Sequence, residues 1–486
     1  MPHATIVDLQ DRKRWLSLAV IVAAQFMVIL DVAIVNVALP AIKHDLHFSE
    51  ESLQWVITAY AILFGGALLL GGRLADLLGR RRLFLAGVAL FSLSSLLSGL
   101  AWSEGSLILF RAVQGLGGAL LAPAALSILM TTFREGRERN IALGIWGAAS
   151  GSGGAAGVLL GGLLTSYADW PWIFFINVPV GALLVAVAPR LLRDSRAVLA
   201  HRRFDFAGAA SVTSGLMLFV YALTRAAERG WGNATTVALL GGSVLLIAAF
   251  LAIELRSQAP LLPLRIFRQR TLAAANAVGV VVAAVGFSLF FLLTLYLQQV
   301  LHYSAIQTGA AFVAITLTIV VSSNVAQTFV TRLGVRRVLV TGLVLDTAAL
   351  AWLGRVPVHG HYLEDVFPAL VVAGVGMAFS FVPMTIAGLS GVHPSDAGIA
   401  SGLINTSRQI GGAIGLAAVS TIAASTSGSS LAASALTHGF QVGFYALTGL
   451  AAVGVVIAAV FVEPRPRLAE VEPLGAETFA TVEEAA

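Results

Sequence analysis

Long apolar segments separated by short polar turns repeat along the whole chain. A membrane-spanning helix needs about 20 mostly apolar residues, and these segments are of about that length. The first, which begins at Trp15, is too long for the apolar core of a signal peptide and contains Asp31, so we interpret it as a retained span. The pattern predicts fourteen spans, at residues 15–40, 53–72, 83–101, 106–131, 140–164, 171–190, 204–223, 235–254, 271–298, 307–330, 336–354, 364–388, 401–424 and 440–462.

Composition indicates that a lipid bilayer surrounds most of the chain. Its 486 residues are 58% hydrophobic and 11% charged, and the mean hydropathy is +0.88. A soluble protein has about 25% charged residues, so this chain has too few to cover a water-facing surface. The absence of cysteine excludes disulfides and thiolate metal sites. The net charge of +5 does not indicate nucleic acid, because the basic residues lie in short turns between apolar segments.

The basic residues of the turns predict the topology. If the N-terminus is cytoplasmic, 24 of the 30 lysines and arginines fall in inside segments, 4 in outside loops and 2 within spans. Short cytoplasmic loops of membrane proteins are rich in Lys and Arg, and a missing span would exchange the sides of all later loops. We therefore predict a multi-pass protein of the cytoplasmic membrane with both termini in the cytoplasm.

An arginine-rich turn occurs once in each half of the chain. LLLGGRLADLLGRRRLF (68–84) and VTRLGVRRVLVTG (330–342) align with a shift of 255 residues, which places Gly334 on Gly79 and Thr331 on Asp76. Secondary transporters are built from such repeats, with the binding site between them. We predict a six-helix bundle at 1–203, two inserted helices at 204–255, a second six-helix bundle at 256–462 and a disordered cytoplasmic tail at 463–486.

Six motifs, in order along the chain, resemble the fourteen-span drug:proton antiporter family of the major facilitator superfamily. The resemblance implies an all-α major facilitator fold of two six-helix bundles plus two inserted helices, driven by the proton gradient without a cofactor. One departure is Val158, which stands where the fifth-span motif has a proline. The motifs are LDVAIVNVALP (30–40), GGRLADLLGRRR (71–82), LILFRAVQGLGGA (107–119), the glycines of GIWGAASGSGGAAGVLLGG (144–162), WPWIFFINVPVG (170–181) and ASGLINTSRQIGGAIG (400–415).

Asp31 in span one and Arg111 in span four are the candidate proton-coupling residues. A carboxylate at membrane depth needs a partner or a function. The rise of a helix places Asp31 about 13 Å and Arg111 about 8 Å below the outer ends of their spans, and the resemblance implies that both spans line the central cavity. We hypothesise that Asp31 binds a proton in one state and pairs with Arg111 in another. A static structural pair is the alternative.

The first arginine-rich turn is a candidate conformational latch. Topology requires its arginines but not Asp76. The resemblance implies that Asp76 docks at the N-terminal end of span thirteen, where the helix dipole attracts an anion, and holds the two halves together. The alternative is a solvated loop aspartate. The predicted latch comprises Gly72, Asp76, Gly79, Arg80 and Arg81.

Span five is rich in glycine, which allows a neighbouring backbone to approach closely. The resemblance implies that this contact seals the transport route on one side and slides during switching. A tightly packed helix is the alternative. The glycines assigned to packing and gating are Gly144, Gly153, Gly157 and Gly161.

Polar and aromatic side chains at membrane depth are the candidate substrate-binding residues. Gln114 shares a helical face with Arg111, and Asp346 and Arg408 form a second possible buried pair. A mostly apolar cavity suits hydrophobic or amphipathic substrates. The candidates are Asn36, Gln114, Tyr296, Asn324, Phe379, Phe381, Asn405, Arg408 and Gln409.

The sequence therefore predicts proton-coupled efflux of hydrophobic or amphipathic small molecules by alternating access. The protein is expected to act as a monomer in membrane lipid, without nucleic acid or a metal. A proton-coupled importer or a facilitator of a small metabolite is the alternative. An ATP-driven pump and an enzyme are disfavoured, because the chain has no G-x-x-x-x-G-K-[ST] loop, no G-x-S-x-G motif and no histidine at membrane depth.

Overall fold

The computed structural model describes residues 2–48, 50–53, 55–195, 205–257, 260–393, 396–428 and 432–464. Fourteen long helices follow one another along the chain: α1 Pro2–Asp45, α2 Trp55–Leu78, α3 Arg80–Gly99, α4 Glu104–Thr132, α5 Arg137–Tyr167, α6 Asn177–Leu191, α7 Phe206–Arg229, α8 Ala234–Glu254, α9 Arg270–Leu295, α10 Val313–Leu333, α11 Val335–Leu353, α12 Phe367–Leu389, α13 Ala397–Ser427 and α14 Ala433–Phe461. Shorter helical segments lie between them, at Glu50–Leu53, Trp172–Phe175, Leu264–Arg268, Tyr296–Val300, Ala305–Ala311 and Tyr362–Val366.

These fourteen helices coincide with the fourteen predicted spans. Thirteen of them are long and apolar enough to cross a membrane. The fourteenth is α11, which has 19 residues and packs against α12 and α14. It differs in carrying three charged residues, Arg336, Arg337 and Asp346, within its short length. The predicted all-α polytopic membrane fold is confirmed.

The two arginine-rich turns adopt the same backbone conformation. Gly79 is the single residue between α2 and α3, and Gly334 is the single residue between α10 and α11. Their φ angles are 106° and 88°, a region that residues with a side chain rarely adopt. The repeat in the sequence is therefore a glycine-dependent turn in both halves. We call the end of the helices that carries these two turns the arginine-rich face.

Helix packing repeats with a shift of eight helices. In the first half α1 packs against α5, α2 and α3 against α4, and α3 against α6. In the second half α9 packs against α13, α10 and α11 against α12, and α11 against α14. We call α1–α6 the N-terminal lobe and α9–α14 the C-terminal lobe. The lobes meet where α2 packs against α13 and where α5 packs against α10. These two contacts are equivalent, because α2 corresponds to α10 and α5 corresponds to α13 in the repeat.

The inserted helices lie beside the contact between the lobes. α7 packs against α8, and also against both α2 and α13. Trp231, in the turn between α7 and α8, donates a hydrogen bond to Thr421 of α13 at 3.0 Å. The side chains of α8 are mostly exposed, as expected for a helix that faces lipid on most sides.

Some sequence-based predictions concern residues outside the described ranges. These are the boundary between the first bundle and the inserted helices at residues 203–204, and residues 465–486 of the C-terminal tail. The same applies to several arginines counted in the charge pattern, namely Arg196, Arg202, Arg203, Arg465 and Arg467.

Candidate functional site

A closed polar network surrounds Asp31 inside the N-terminal lobe. Asp31 Oδ2 accepts a hydrogen bond from Arg111 Nη1 at 2.7 Å, which is also an ion pair. Gln114 Nε2 donates to Asp31 Oδ1 at 2.8 Å, and Gln114 Oε1 accepts from Arg111 at 2.7 Å. Asn177 Nδ2 donates to the same Asp31 oxygen at 2.9 Å. Asp31 is 0% and Arg111 1% exposed, so the pair is shielded from solvent.

Arg111 is held by further contacts with two other segments. Its Nε donates to the Val56 carbonyl of α2 at 3.2 Å. Its guanidinium lies 4.4 Å from the ring centre of Tyr60 and 5.6 Å from that of Phe174, which are cation–π distances. The charge is thus matched by one carboxylate, one amide, one carbonyl and two aromatic faces.

The sequence analysis did not single out Asn177, Ser95 and Tyr60. Asn177 begins α6 and bridges Asp31 to the Ser95 hydroxyl of α3, which lies 3.1 Å away. Tyr60 is 3% exposed, and its hydroxyl has no hydrogen-bond partner within the part of the chain that the structure describes. An asparagine in the apolar motif WPWIFFINVPVG was the available signal, because a polar amide at membrane depth needs a partner.

An apolar groove in the N-terminal lobe borders this network. It has a volume of about 710 Å³ and lies between α1, α5 and α6. Its lining side chains are apolar or aromatic except for Ser152 and Asn177. Since Asn177 donates to Asp31, the apolar surface of the groove comes within one hydrogen bond of the acid.

At the arginine-rich face, Asp76 of α2 caps the N-terminal end of α13. Its two carboxylate oxygens accept from the backbone N–H groups of Gly398 and Ile399, each at 3.2 Å. Arg80 pairs with the same carboxylate at 2.9 Å. Gly72 lies against Gly398 and Gly402, so the two helices approach closely enough for these bonds to form. Asp76 therefore joins the two lobes directly.

Arg81 has a different position from the one predicted. Its guanidinium donates to the carbonyls of Pro189 and Leu192, at 3.2 and 3.3 Å, and lies 4.0 Å from Asp194. It therefore holds the end of α6 within the N-terminal lobe, and none of these contacts reaches α13. Its support of the latch stays a prediction. Adjacent residues on a helix point in directions about 100° apart, so Arg80 and Arg81 reach different neighbours.

Two further contacts close the arginine-rich face. Glu135, between α4 and α5, accepts from the Gly391 backbone N–H of the C-terminal lobe at 3.2 Å. Asn140 of α5 donates to the Thr331 hydroxyl of α10 at 3.2 Å. Thr331 is the position that aligns with Asp76 in the repeat, so both arginine-rich turns contact the first turns of a helix in the opposite lobe.

The span-five glycines lie on two different faces of α5. Gly153, Gly157 and Gly161 pack against α1 inside the N-terminal lobe. Gly144 packs against Gln327 of α10, across the contact between the lobes. The close approach predicted for Gly153, Gly157 and Gly161 is therefore a contact inside the N-terminal lobe, and Gly144 belongs to a second face of α5. The role of these glycines in gating stays a prediction. Gly147 and Gly151, which were not predicted, also face the C-terminal lobe, at Phe381 and Ile319.

The predicted pair of Asp346 and Arg408 does not form. Asp346 Oδ2 accepts from the Ser380 hydroxyl at 2.8 Å. The Arg408 guanidinium lies over the Phe381 ring, 4.3 Å from its centre. Ser380 and Phe381 are consecutive residues of α12 and point in directions about 100° apart, so the acid and the arginine lie on different sides of α12.

Two other substrate candidates use their polar groups inside the protein. Tyr296 is fully buried, and its hydroxyl donates to the Pro357 carbonyl at 2.7 Å. Gln114 is also fully buried and uses both ends of its amide in the Asp31 network. Asn324 is exposed on α10 and lines a groove of about 250 Å³ together with Thr328 and Phe329. Sequence spacing alone could not assign these orientations.

The remaining candidates lie near the contact between the lobes or on exposed helix surface. The Gln409 stem packs against Gly65 of α2. Phe379 stacks at 6.0 Å on Phe329. Asn405 donates to the Ser401 carbonyl within α13. Asn36 is exposed on α1 and donates to the Val32 carbonyl. Their roles in substrate binding stay predictions.

Comparison with known proteins gives one family match and three similar proteins. The sequence model described as Major Facilitator Superfamily matches residues 21–416. The chain is 40% identical over 473 residues to the puromycin resistance protein pur8 of Streptomyces alboniger, covering 95% of this chain and 93% of that protein. It is 40% identical over 410 residues to the cephamycin export protein CmcT of Amycolatopsis lactamdurans, covering 84% of each. The solved human organic anion transporter MFSD10 matches with a TM-score of 0.67 and 16% identity, over 92% of this chain and 99% of that one, a likeness of fold alone.

Proposed function

The chain belongs to the major facilitator superfamily, and on this premise we propose that it exports amphipathic small molecules across the cytoplasmic membrane in exchange for protons. It is a multi-pass membrane transporter and not an enzyme. The relatives named above carry antibiotic resistance or export in their names, which supports outward transport. The protein needs no cofactor in this proposal, because the proton gradient supplies the energy, and it acts as a monomer in membrane lipid.

Charge distribution supports one orientation. The basic residues concentrate at the arginine-rich face, and such segments of membrane proteins stay in the cytoplasm. This face is therefore assigned to the cytoplasm, together with both termini. The contacts made there by Asp76, Glu135 and Asn140 then close the cytoplasmic side.

The observation that carries the proposal is the ionised pair of Asp31 and Arg111 in the middle of a bundle. A buried ion pair is costly to form from hydrated groups, and acids at membrane depth are rare outside functional sites. Arginine stays protonated in proteins, so Asp31 is the group that exchanges a proton. Protonation from outside makes Asp31 neutral and weakens its bonds with Arg111. Release of the proton to the cytoplasm restores the pair.

Alternating access follows from the contacts between the lobes. Asp76 favours the state with a closed cytoplasmic side, because its carboxylate caps α13 only when the lobes meet there. Opening to the cytoplasm breaks these bonds and exposes the space between the lobes to substrate. The proton held by Asp31 then leaves to the cytoplasm, and the substrate occupies the open cavity.

The proposal is tested in everted membrane vesicles with an acid interior and a pH-sensitive dye. An antiporter exports protons from the lumen when its substrate is added, so the lumen becomes less acidic. A facilitator leaves the pH gradient unchanged. A proton-coupled importer moves substrate and protons in the same direction, so substrate added outside the vesicles does not draw protons out of the lumen. Substrates are found first by screening a strain that lacks the chain against a broad compound panel.

Two matched variants locate the proton site. Asp31→Asn removes the carboxylate of the network, and we expect it to abolish the pH response. Asp346→Asn removes a buried acid of the C-terminal lobe that has a hydroxyl partner and, among the described residues, no basic side chain within 4.0 Å. We expect this control to retain the response. An undiminished response in Asp31→Asn would reject Asp31 as the proton carrier.

A further inference from the structure

Among the residues that the structure describes, Arg408 lies at membrane depth with no hydrogen-bond or ionic partner. It lies eleven residues into α13, about 17 Å from the arginine-rich end of that helix. Within the described ranges its guanidinium makes no hydrogen bond and no ion pair. It makes a cation–π contact with the Phe381 ring. Arg111, in contrast, has a carboxylate, an amide and a carbonyl.

A charge of this kind calls for a partner. Arginine keeps its proton in a protein interior, and an uncompensated charge at membrane depth is costly. The residue that helix depth offered as a partner, Asp346, is bonded to Ser380 on another side of α12. A cation–π contact offsets only a small part of the lost hydration. The guanidinium therefore retains unused hydrogen-bond donors.

The surroundings place Arg408 beside the contact between the lobes. Phe381, over which it lies, packs on Gly147 of α5, where a side-chain carbon at position 147 would come 3.1 Å from the ring. The next residue, Gln409, packs its stem against Gly65 of α2. Its amide has no hydrogen-bond partner among the described residues. A flat apolar ring and a cation thus lie together beside the contact between the lobes.

We propose that Arg408 binds the carboxylate of an amphipathic organic anion, whose apolar body packs beside Phe381. This inference rests on the proposed export function and specifies its substrate class. A guanidinium binds a carboxylate through two parallel N–H donors. Because Asp31 is already paired with Arg111, Arg408 is the charge that this site offers to an anionic substrate.

The site also gives a reason for export rather than import. An anion that leaves the cell and a proton that enters it both move in the direction favoured by an inside-negative membrane. Each elementary charge adds about 2.3 kcal/mol per 100 mV. Binding the anion at Arg408 while Asp31 releases its proton therefore couples both charges to one conformational cycle.

The test compares two fluorescent probes that differ in one group. Dansyl-leucine carries a carboxylate, and dansyl-leucinamide has an uncharged amide in its place. Binding to the purified full chain in lipid nanodiscs is measured by dansyl fluorescence, with empty nanodiscs as the blank. We expect the wild type to bind the carboxylate about tenfold to a hundredfold more tightly, the ratio that charge-assisted hydrogen bonds supply.

Variants at Arg408 identify the group that recognises the carboxylate. We expect Arg408→Gln to bind both probes with the affinity that the wild type has for dansyl-leucinamide. Arg408→Lys should retain part of the preference, because it keeps the charge but loses the two-donor geometry. Arg256→Gln removes an exposed arginine of the loop after α8 and should bind both probes like the wild type.

Several results would overturn the proposal. These are equal wild-type affinities for the two probes, no binding of either, or an Arg408→Gln variant that keeps the preference or loses affinity for both probes equally. If Arg408→Gln does not fold, the wild-type ratio and Arg408→Lys decide. Binding in nanodiscs needs no gradient, so failure of proton coupling would leave this result intact, and failure of anion recognition would leave antiport of other substrates intact.

Discussion

The two lobes share a backbone plan but distribute charge differently. Each lobe has an arginine on a helix beside the centre of the molecule. In the N-terminal lobe Arg111 is matched by Asp31, Gln114 and Val56. In the C-terminal lobe Arg408 has only the Phe381 ring among the described residues. Repetition of the fold therefore does not repeat the chemistry, and the lobe that holds the ion pair is the one suited to exchange a proton.

The arginine-rich turns differ in the same way. Gly79 and Gly334 have almost the same backbone conformation, so the turns themselves are equivalent. The first contributes the Asp76 carboxylate, which binds two backbone N–H groups of α13. The second contributes the Thr331 hydroxyl, which accepts one exposed bond from Asn140. One contact is ionic and buried, and its counterpart is neutral and exposed.

The largest difference between the lobes should appear in stability. Arg111→Met leaves Asp31 buried without its cation, and loss of one partner of a buried pair costs about 3–5 kcal/mol. Arg408→Met removes no hydrogen bond and should cost about 1 kcal/mol or less. Thermal unfolding of the purified variants measures both. The double variant Asp31→Leu/Arg111→Met should recover most of the loss.

Equal destabilisation by Arg111→Met and Arg408→Met would contradict this comparison. It would show that Arg408 has an ionic partner of its own. Failure of the double variant to recover stability would mean that packing around Arg111, and not its charge, accounts for the loss.

The next effect concerns the two turns. Asp76→Ala removes two bonds to the N-terminal end of α13, and hydrogen bonds to a charged group contribute about 1.5–3 kcal/mol. The closed arginine-rich face should lose about tenfold to a hundredfold in population, and transport should fall accordingly. Spin labels at Leu78 and Arg268, both exposed on this face, report the change as a longer distance by pulsed electron resonance.

Thr331→Ala is the matched control for Asp76→Ala. It removes the neutral counterpart, so we expect a change of less than about threefold, the scale of an exposed hydrogen bond. If both variants gave the same distance distribution as the wild type, Asp76 would have no role as a latch.

A smaller effect is expected from Asn177→Ala. Asp31 keeps Arg111 and Gln114 but loses one donor, and an unmade buried hydrogen bond costs about 1–3 kcal/mol. Proton-coupled transport should slow by about tenfold, with the apparent substrate affinity unchanged. Asn276→Ala is the control, because Asn276 is a buried asparagine bonded to Leu272 and Ser407 and not to a carboxylate. Equal rates in the two variants would exclude Asn177 from the network's function.

The smallest effect should come from restoring the missing carboxylate. Thr331→Asp places an acid beside the first turns of α5, where the helix dipole favours an anion by about 0.3–1 kcal/mol. The closed state should gain in population by up to about fivefold, and transport should slow, since opening becomes harder. The same spin-label pair measures the shift. A faster transporter with a more open arginine-rich face would show that the second turn is not a latch.

Much of the fold could be predicted from the sequence, because the bilayer imposes one rule on every segment. Apolar length predicted the helices, and the Gly79 and Gly334 repeat predicted the relation between the halves. The six motifs identified the family, which the comparisons confirm. These signals are local, so each can be recognised without knowing its neighbours in space.

The site was less predictable, because it depends on the directions in which side chains point. Helix depth suggested that Asp31 and Arg111 could meet, but it suggested the same for Asp346 and Arg408. The second pair does not form because Asp346 contacts Ser380 and Arg408 contacts Phe381, and these two residues point to different sides of α12. Asn177 was missed for a similar reason, since its partner lies 146 residues away in the sequence. Tyr296 was predicted to face the cavity, but its hydroxyl bonds to Pro357 instead.

The central claim is that protonation and deprotonation of Asp31 couple proton transport to substrate transport. Its most direct test loads proteoliposomes with a transported substrate, sets equal pH on both sides and follows internal pH after dilution. Outward flow of substrate should drive protons inward and acidify the lumen. We expect this acidification with the wild type and with Asp346→Asn, but not with Asp31→Asn. Substrate efflux at full rate from the wild type with no change in internal pH would contradict the account.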